Sequence, residues 1–190
     1  ALPDQRGALR PVVPDVRQLV TMDLKGNGNL MYLVGRTKPE LGGSHYFAAL
    51  GYTGNTVPRV DALVGKKILL AVAEVIRQGY VRSCHDLSEG GLAVAAAEMA
   101  FAGNIGMEIT LARVPLAKGG NINRDDIILF SESNSRFLIE VKPENRNNFE
   151  RVMADCPFAL IGKTIPMTNL KVIGLNGKVV VNEPLSGLKE

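Results

Sequence analysis

At 190 residues, with 46% hydrophobic and 22% charged residues, the chain can bury a substantial core and is too apolar for intrinsic disorder. Its net charge of +3 comes from scattered basic residues, and only six Phe and four Tyr are present for base stacking, which argues against a nucleic-acid partner. No apolar run approaches the roughly 18 residues that cross a bilayer, and the opening ALPDQRGALRP lacks the apolar core of a secretory signal, so a cytoplasmic protein with no membrane partner is expected.

The two cysteines, Cys84 and Cys156, form no CxxC pair, and His45 and His85 are the only histidines. This usage fits a reducing compartment and argues against a structural zinc site.

Residues 1–26 carry Pro3, Pro11 and Pro14 and show no sustained hydrophobic period. Proline holds itself and its predecessor extended, so this stretch reads as a linker or the tail of a preceding domain, cut from a longer polypeptide, with one domain over 27–190. KGNGN at 25–29 is a turn signal, and LMYLV at 30–34 is a short buried strand. The glycine pair Gly42 and Gly43 permits close approach of a ligand or another backbone, and Ser44 suits the N-cap of a short helix.

Asp61 then caps a helix whose stripe is Val64, Ile68, Val72, Val75 and Ile76, closed by Gly79. Residues 80–85 form a strand, and a second helix over 90–102 has Glu98 as its only charge. A helix apolar nearly all round needs cover on more than one side. GMEITL at 106–111 is a strand, Ile127–Phe130 a short helical piece, RFLIEV at 136–141 a strand, and Pro143 opens a helix that buries Phe149, Val152 and Met153. Three strands at 158–161, 170–174 and 178–181 end the chain, the last pair joined by Asn176-Gly177, which suits a type I′ turn. Elements that alternate early and strands that cluster late give an α+β fold, layered as α/β, with a mixed β-sheet flanked by helices.

Chemistry concentrates where the strand over 80–85 meets the apolar helix. Adjacent Cys84 and His85 point to opposite faces of a strand, so they do not make a nucleophile and base pair, and Cys84 reads as a small core residue. Asp86, Ser88, Glu89, Gly90 and Gly91 form D-x-S-x-G-G at a helix start, where free amides and the dipole favour phosphate. Two acids there would repel a bare phosphate, so the pattern implies a nucleotide with Mg2+ between carboxylate and phosphate. A plain helix cap by Asp86 or Ser88 stands as the alternative. For Glu132, Ser133, Ser135 and Arg136, in ESNSR, the choice lies between a solvated turn and a ligand-facing loop with Arg136 on a phosphate.

VPDVRQLVTMDLKGNGNLMYLVG, LGGSHY, SCHDLSEGGLAVAAAEMAFAG and SESNSRFLIEV together resemble the C-terminal synthetase-type domain of the phosphoribosylformylglycinamidine synthase family, in the aminoimidazole ribonucleotide synthetase superfamily. The likeness runs in order over nearly the whole chain, and HDLSEGGL followed by AEMAFAG is its most specific part. It implies ATP-dependent conversion of formylglycinamide ribonucleotide and glutamine-derived ammonia to formylglycinamidine ribonucleotide, in purine biosynthesis.

It also implies Asp86 as the magnesium ligand and Ser88, Gly90 and Gly91 on the nucleotide (ATP or ADP), with Ser44 and Arg136 in further family loops. No catalytic residue is implied, the nucleotide role is auxiliary, and the chain alone is inactive. The implied partners are the missing N-terminal synthetase domains and a glutamine amidotransferase domain or subunit that supplies ammonia. A homodimer, a non-catalytic interaction domain, or a relative making selenophosphate or thiamine phosphate are the alternatives.

Overall fold

The computed structural model describes residues 15–119 and 122–189. The proline-rich reading of Pro3, Pro11 and Pro14 lies outside the described residues. Among the described residues seven strands form one sheet: β1 (Leu30–Val34), β2 (Val81–Asp86), β3 (Gly106–Thr110), β4 (Phe137–Val141), β5 (Phe158–Ile165), β6 (Asn169–Ile173) and β7 (Val179–Pro184). Their order is β2-β4-β1-β5-β3-β6-β7, and only the β3–β6 pair is parallel. This is the mixed sheet the sequence leads one to expect, with β5 and β7 longer than the hydrophobic runs suggest.

Helices cover both faces: α1 (His45–Ala49), α2 (Ala62–Arg77), α3 (Gly91–Gly103), α4 (Asp125–Phe130) and α5 (Arg146–Met153). Tyr32 and Val34 of β1 join Ile68, Val72 and Val75 of α2 and Phe149 and Met153 of α5 in one core. Met31 and Leu33 point the other way, into a larger core with Leu92, Ala96 and Met99 of α3 and Ile128 of α4. The strand period of two thus divides β1 between two hydrophobic layers, and each such buried side chain contributes about 1.5–3 kcal/mol.

Local sequence explains the helix limits. Asp61 accepts a hydrogen bond from the Val64 amide at 3.1 Å, and Gly79 follows α2 with φ 71°, as a helix-closing glycine does. Val64, placed on the inward stripe by periodicity, is partly exposed instead, and Gly65 takes the buried position. Helix α3 gains its second cover from α4 and from Leu24, whose backbone lies where a Cβ on Gly103 would fall. Cys84 packs among the α2-side residues, where burial pushes its thiol up to about 12.

The β6–β7 turn differs from the expected type I′. Gly177 has φ 76°, while Asn176 is not among the residues with positive φ. With Gly177 N–H on the Gly174 carbonyl and Gly174 N–H on the Lys178 carbonyl, the connection is a type I turn followed by a left-handed glycine. Asn-Gly serves both turns, because the glycine is needed in each.

The register decides where chemistry can sit. Val34 pairs with Phe137, and Asp86 also pairs with Phe137, so the end of β1, the end of β2 and the start of β4 lie side by side. The three loops attached there, 35–44, 87–90 and 131–136, converge at one end of the sheet. The described part of the leading segment also docks on the sheet through Glu140, which is fully buried on β4. Its carboxylate accepts from the amides of Lys25 and Gly26, from Asn29 Nδ2 at 2.6 Å and from Ser83 Oγ at 2.8 Å.

Candidate functional site

The converging loops enclose an open groove of about 530 Å³ onto which Asp86, Ser88, Glu89, Glu132 and Arg136 face. Asp86 ends β2 with an exposed side chain, and Ser88 Oγ donates to its Oδ2 at 3.0 Å. His85 Nδ1 lies 3.3 Å from Asp86 Oδ1, and its Nε2 lies 2.8 Å from Glu98 Oε2 on α3. The imidazole thus sits between two carboxylates and fixes the base of Asp86, while Cys84 faces the opposite layer. Neither Asp86 nor Ser88 caps α3. The N-cap is Gly90, with φ 72° and no side-chain cap bond.

The glycine turn is filled by the protein itself. Glu132 Oε1 accepts from the Gly90 amide at 2.9 Å and from the His45 amide at 3.0 Å, and the Gly91 amide donates to the Ser88 carbonyl. A Cβ on Gly91 would overlap the carbonyl oxygen of Ser131 and come within 2.9 Å of that of Leu129. The room Gly91 leaves is therefore taken by the α4–β4 loop and that at Gly90 by the Val94 side chain, and an internal carboxylate holds the anion position on the Gly90 amide. Gly42 behaves alike: its amide donates to the Thr56 carbonyl, and a Cβ would meet that backbone at 2.7 Å.

Ser44 is a buried N-cap of α1, its Oγ accepting from Phe47 N–H at 3.2 Å. It lies behind the groove and is joined to it through the neighbouring His45 amide on Glu132. Helix α1 is braced by Tyr46, which stacks on Phe130 at 4.4 Å and donates to Asp126 at 3.1 Å.

The ESNSR turn corrects the solvated reading. Ser131, Ser133 and Arg136 are all at most 1% exposed. Arg136 Nε donates to the Ser133 carbonyl at 2.9 Å, Nη1 to Thr37 Oγ1 at 2.9 Å, and Nη2 to the Ser131 carbonyl. Burial pulls this guanidinium down to about 10, against the opposing charges of Glu40 and Glu132. Arg136 therefore organises the loop from beneath rather than reaching out as an exposed phosphate clamp.

Asn134 and Ser135 form the outer lip, Ser135 with a left-handed φ of 57°. Ser135 Oγ rests against Gly65, where any Cβ would lie 2.8 Å away. Local composition marks the turn as polar but does not signal that residues 37–40, nearly a hundred positions earlier, bury it.

For a hard cation, the groove offers only oxygen donors. Asp86 and the Ser88 hydroxyl face it, with Glu89 and Glu132 nearby. Among the described residues no three His, Cys, Asp or Glu side chains gather to cage a metal. This donor set fits magnesium, which is held by one or two carboxylates and completes its shell with water and phosphate oxygens.

Similar proteins place the chain. Residues 26–174 match the family described as AIR synthase related protein, C-terminal domain. The phosphoribosylformylglycinamidine synthase subunit PurL of Alkaliphilus metalliredigens is 36% identical over 98% of this chain and 25% of its own length. Two solved structures share the fold. T. maritima PurL complexed with FGAR has a TM-score of 0.78 and 23% identity, covering 91% of this chain and 30% of that one. T. maritima PurL complexed with ADP has a TM-score of 0.75 and 21% identity, covering 91% and 27%. The chain thus spans about a quarter of the length of the curated relatives it matches. With the family pattern running through the three loops that meet at the sheet end, the chain belongs to the AIR synthase related C-terminal domain family.

Proposed function

We propose that this chain is the C-terminal domain of an ATP-dependent phosphoribosylformylglycinamidine synthase of purine biosynthesis, working in the cytoplasm. In this reading residues 1–26 link to a preceding domain and 27–190 form the synthetase-type domain. The whole enzyme uses ATP and glutamine-derived ammonia to convert formylglycinamide ribonucleotide to formylglycinamidine ribonucleotide, the ammonia coming from a glutamine amidotransferase domain or subunit. The kinship with PurL supports the assignment.

The observation that carries the site is the exposed Asp86 and Ser88 pair on a groove whose metal-ligating atoms are oxygens. Bound magnesium would neutralise phosphate charge beside Asp86. Asp86 would hold the ion, and Ser88, oriented by its bond to Asp86, would present its oxygen to the nucleotide. His85 and Glu98 keep Asp86 in place. The amides of Gly90 and Gly91 are engaged within the protein, so Gly90 and Gly91 serve this site by shaping its floor, with Arg136 bracing the facing loop and Ser44 the helix behind. No residue here acts as catalytic base, the nucleotide is auxiliary, and the chain alone is inactive.

The test is magnesium-dependent ADP binding, measured by calorimetry after the chain is joined to the N-terminal synthetase domains of a PurL relative. Asp86→Ala should remove the magnesium dependence. Unchanged dependence would count against the site.

Helix α2 supports a pairing role beside this. Leu63, Leu69 and Leu70 along one side of it, with Val60 just before its start, are 56–81% exposed. Such a patch suits contact with a missing synthetase domain or, in the chain alone, with a second copy. Light scattering decides the homodimer: a strict monomer at high concentration removes it.

A further inference from the structure

Next to the acidic groove lies a smaller cleft of about 260 Å³ with the opposite charge. Arg36 and Lys38 from the loop after β1, Arg59 from the loop before α2, and Lys118 from the segment after β3 all line it. Among the described residues the guanidinium groups of Arg36 and Arg59 and the ammonium of Lys118 form no hydrogen bond or ion pair. Four cations converge from three separate segments although their mutual repulsion disfavours it.

The cleft is also built from within. Glu40, only 6% exposed, accepts the Arg59 amide at 3.2 Å and stands 3.5 Å from Lys38 Nζ, which donates to the Arg59 carbonyl at 2.9 Å. One buried carboxylate therefore fixes both the Arg59 backbone and the Lys38 head. The acids set against the four cations are Asp61 on the wall and Glu40 behind Lys38, which leaves a surplus of two positive charges. A phosphate monoester carries about −1.5 to −2 at neutral pH and matches that surplus. The volume is below the roughly 300–1,000 Å³ that encloses a drug-sized ligand. It suits the phosphate end of a molecule rather than a whole nucleotide.

We propose that this cleft binds the phosphate monoester group of a small-molecule ligand, at a site separate from the Asp86 groove. Asn134 and Ser135 line both cavities and form the wall between them. The body of such a ligand has room to pass over this lip toward the larger groove.

The test uses the full chain, with glycerol phosphate as the minimal monoester, inorganic phosphate as the bare anion and glycerol as the uncharged control. Binding is followed by calorimetry and by amide NMR shifts at constant ionic strength. Glycerol phosphate should bind and perturb residues 36–38, 59 and 118, and glycerol should not. Arg36→Ala with Arg59→Ala should weaken binding at least tenfold, and Lys118→Ala, on a different segment, should weaken it severalfold. Arg146→Ala, removing an exposed cation paired with Glu150 elsewhere, should change nothing.

No binding of glycerol phosphate, binding of inorganic phosphate alone, or an equal loss in Arg146→Ala would overturn the proposal. Asp86→Ala separates the two sites. It should spare glycerol phosphate here whether or not magnesium and nucleotide bind in the larger groove, and loss of glycerol phosphate in that variant would mean that the phosphate had bound beside Asp86. Each variant is checked for an unchanged melting profile, which these exposed positions permit.

Discussion

The Glu132 carboxylate makes a sharp test of how the site is held. It joins two elements far apart in sequence, accepting the Gly90 amide at 2.9 Å and the His45 amide at 3.0 Å through the same oxygen. Its side chain is 15% exposed. A bond from a backbone amide to an ionised group contributes about 1.5–3 kcal/mol when buried. The open groove lets water reach the vacated amides, so the loss falls below the sum of two such bonds, and Glu132→Ala should cost about 2–3 kcal/mol. For a domain of this size each kcal/mol moves the midpoint by roughly 2–4 °C, giving a fall of roughly 5–10 °C.

Glu132→Gln keeps an acceptor for both amides and loses only the charge, and should cost about 1 kcal/mol. The nearby His45 Nδ1 at 3.6 Å adds little, because that imidazole is exposed. Thermal and urea unfolding of the three proteins measures the series. Equal midpoints for wild type and Glu132→Ala, or equal losses for Ala and Gln, would refute the carboxylate bridge.

Other substitutions probe separate joints. Glu140→Ala removes the acceptor for four donors on the leading segment, Asn29 and Ser83 and should cost at least about 3 kcal/mol in urea unfolding, because buried polar groups lose their partner. Gly91→Ala forces a Cβ against the Ser131 and Leu129 carbonyls at a φ of 60° and should lower stability by about 2–4 kcal/mol, with NMR shifts confined to the α3 start and the 129–133 backbone.

Alkaline titration tests Cys84. Burial holds its thiol at about 12, above the ordinary thiol value of 9.0, so the folded state keeps a proton that the unfolded chain releases, and stability is lost as pH rises from about 9 toward 12. The slope approaches about 1.4 kcal/mol per pH unit, and Cys84→Ala should flatten it between pH 9 and 10.

The elements were legible because their causes are local. Asp61, the Ile68–Val72–Val75 stripe and Gly79 mark both ends and the inner face of α2 between positions 61 and 79, and the structure keeps all three. The unbroken apolar run LMYLV marks a buried strand, and the structure divides its side chains between two cores. The Asn176-Gly177 turn was legible as a hairpin but not as a turn type, since the left-handed glycine is common to both geometries.

What sequence could not convey is which polar groups satisfy one another across the fold. ESNSR has the composition of a solvated turn, yet Thr37 Oγ1, the Lys38 carbonyl and the Glu40 backbone arrive from the other side of β1 and turn it into a buried network. Glu140 sits in a run that reads as an ordinary strand, and only the fold reveals that its carboxylate gathers residues 25–29 and Ser83. The helix start after Asp86 shows the same limit most clearly. Free amides and glycines there argue for an external phosphate, and they are genuine properties of a helix start. The decisive competitor is Glu132, which stands 42 residues away in sequence and only a hydrogen bond away in space. Once that carboxylate holds the Gly90 amide, the groups left facing the groove at this junction are the exposed Asp86 and Ser88, and the surplus positive charge lies instead beyond Ser135, among Arg36, Lys38, Arg59 and Lys118.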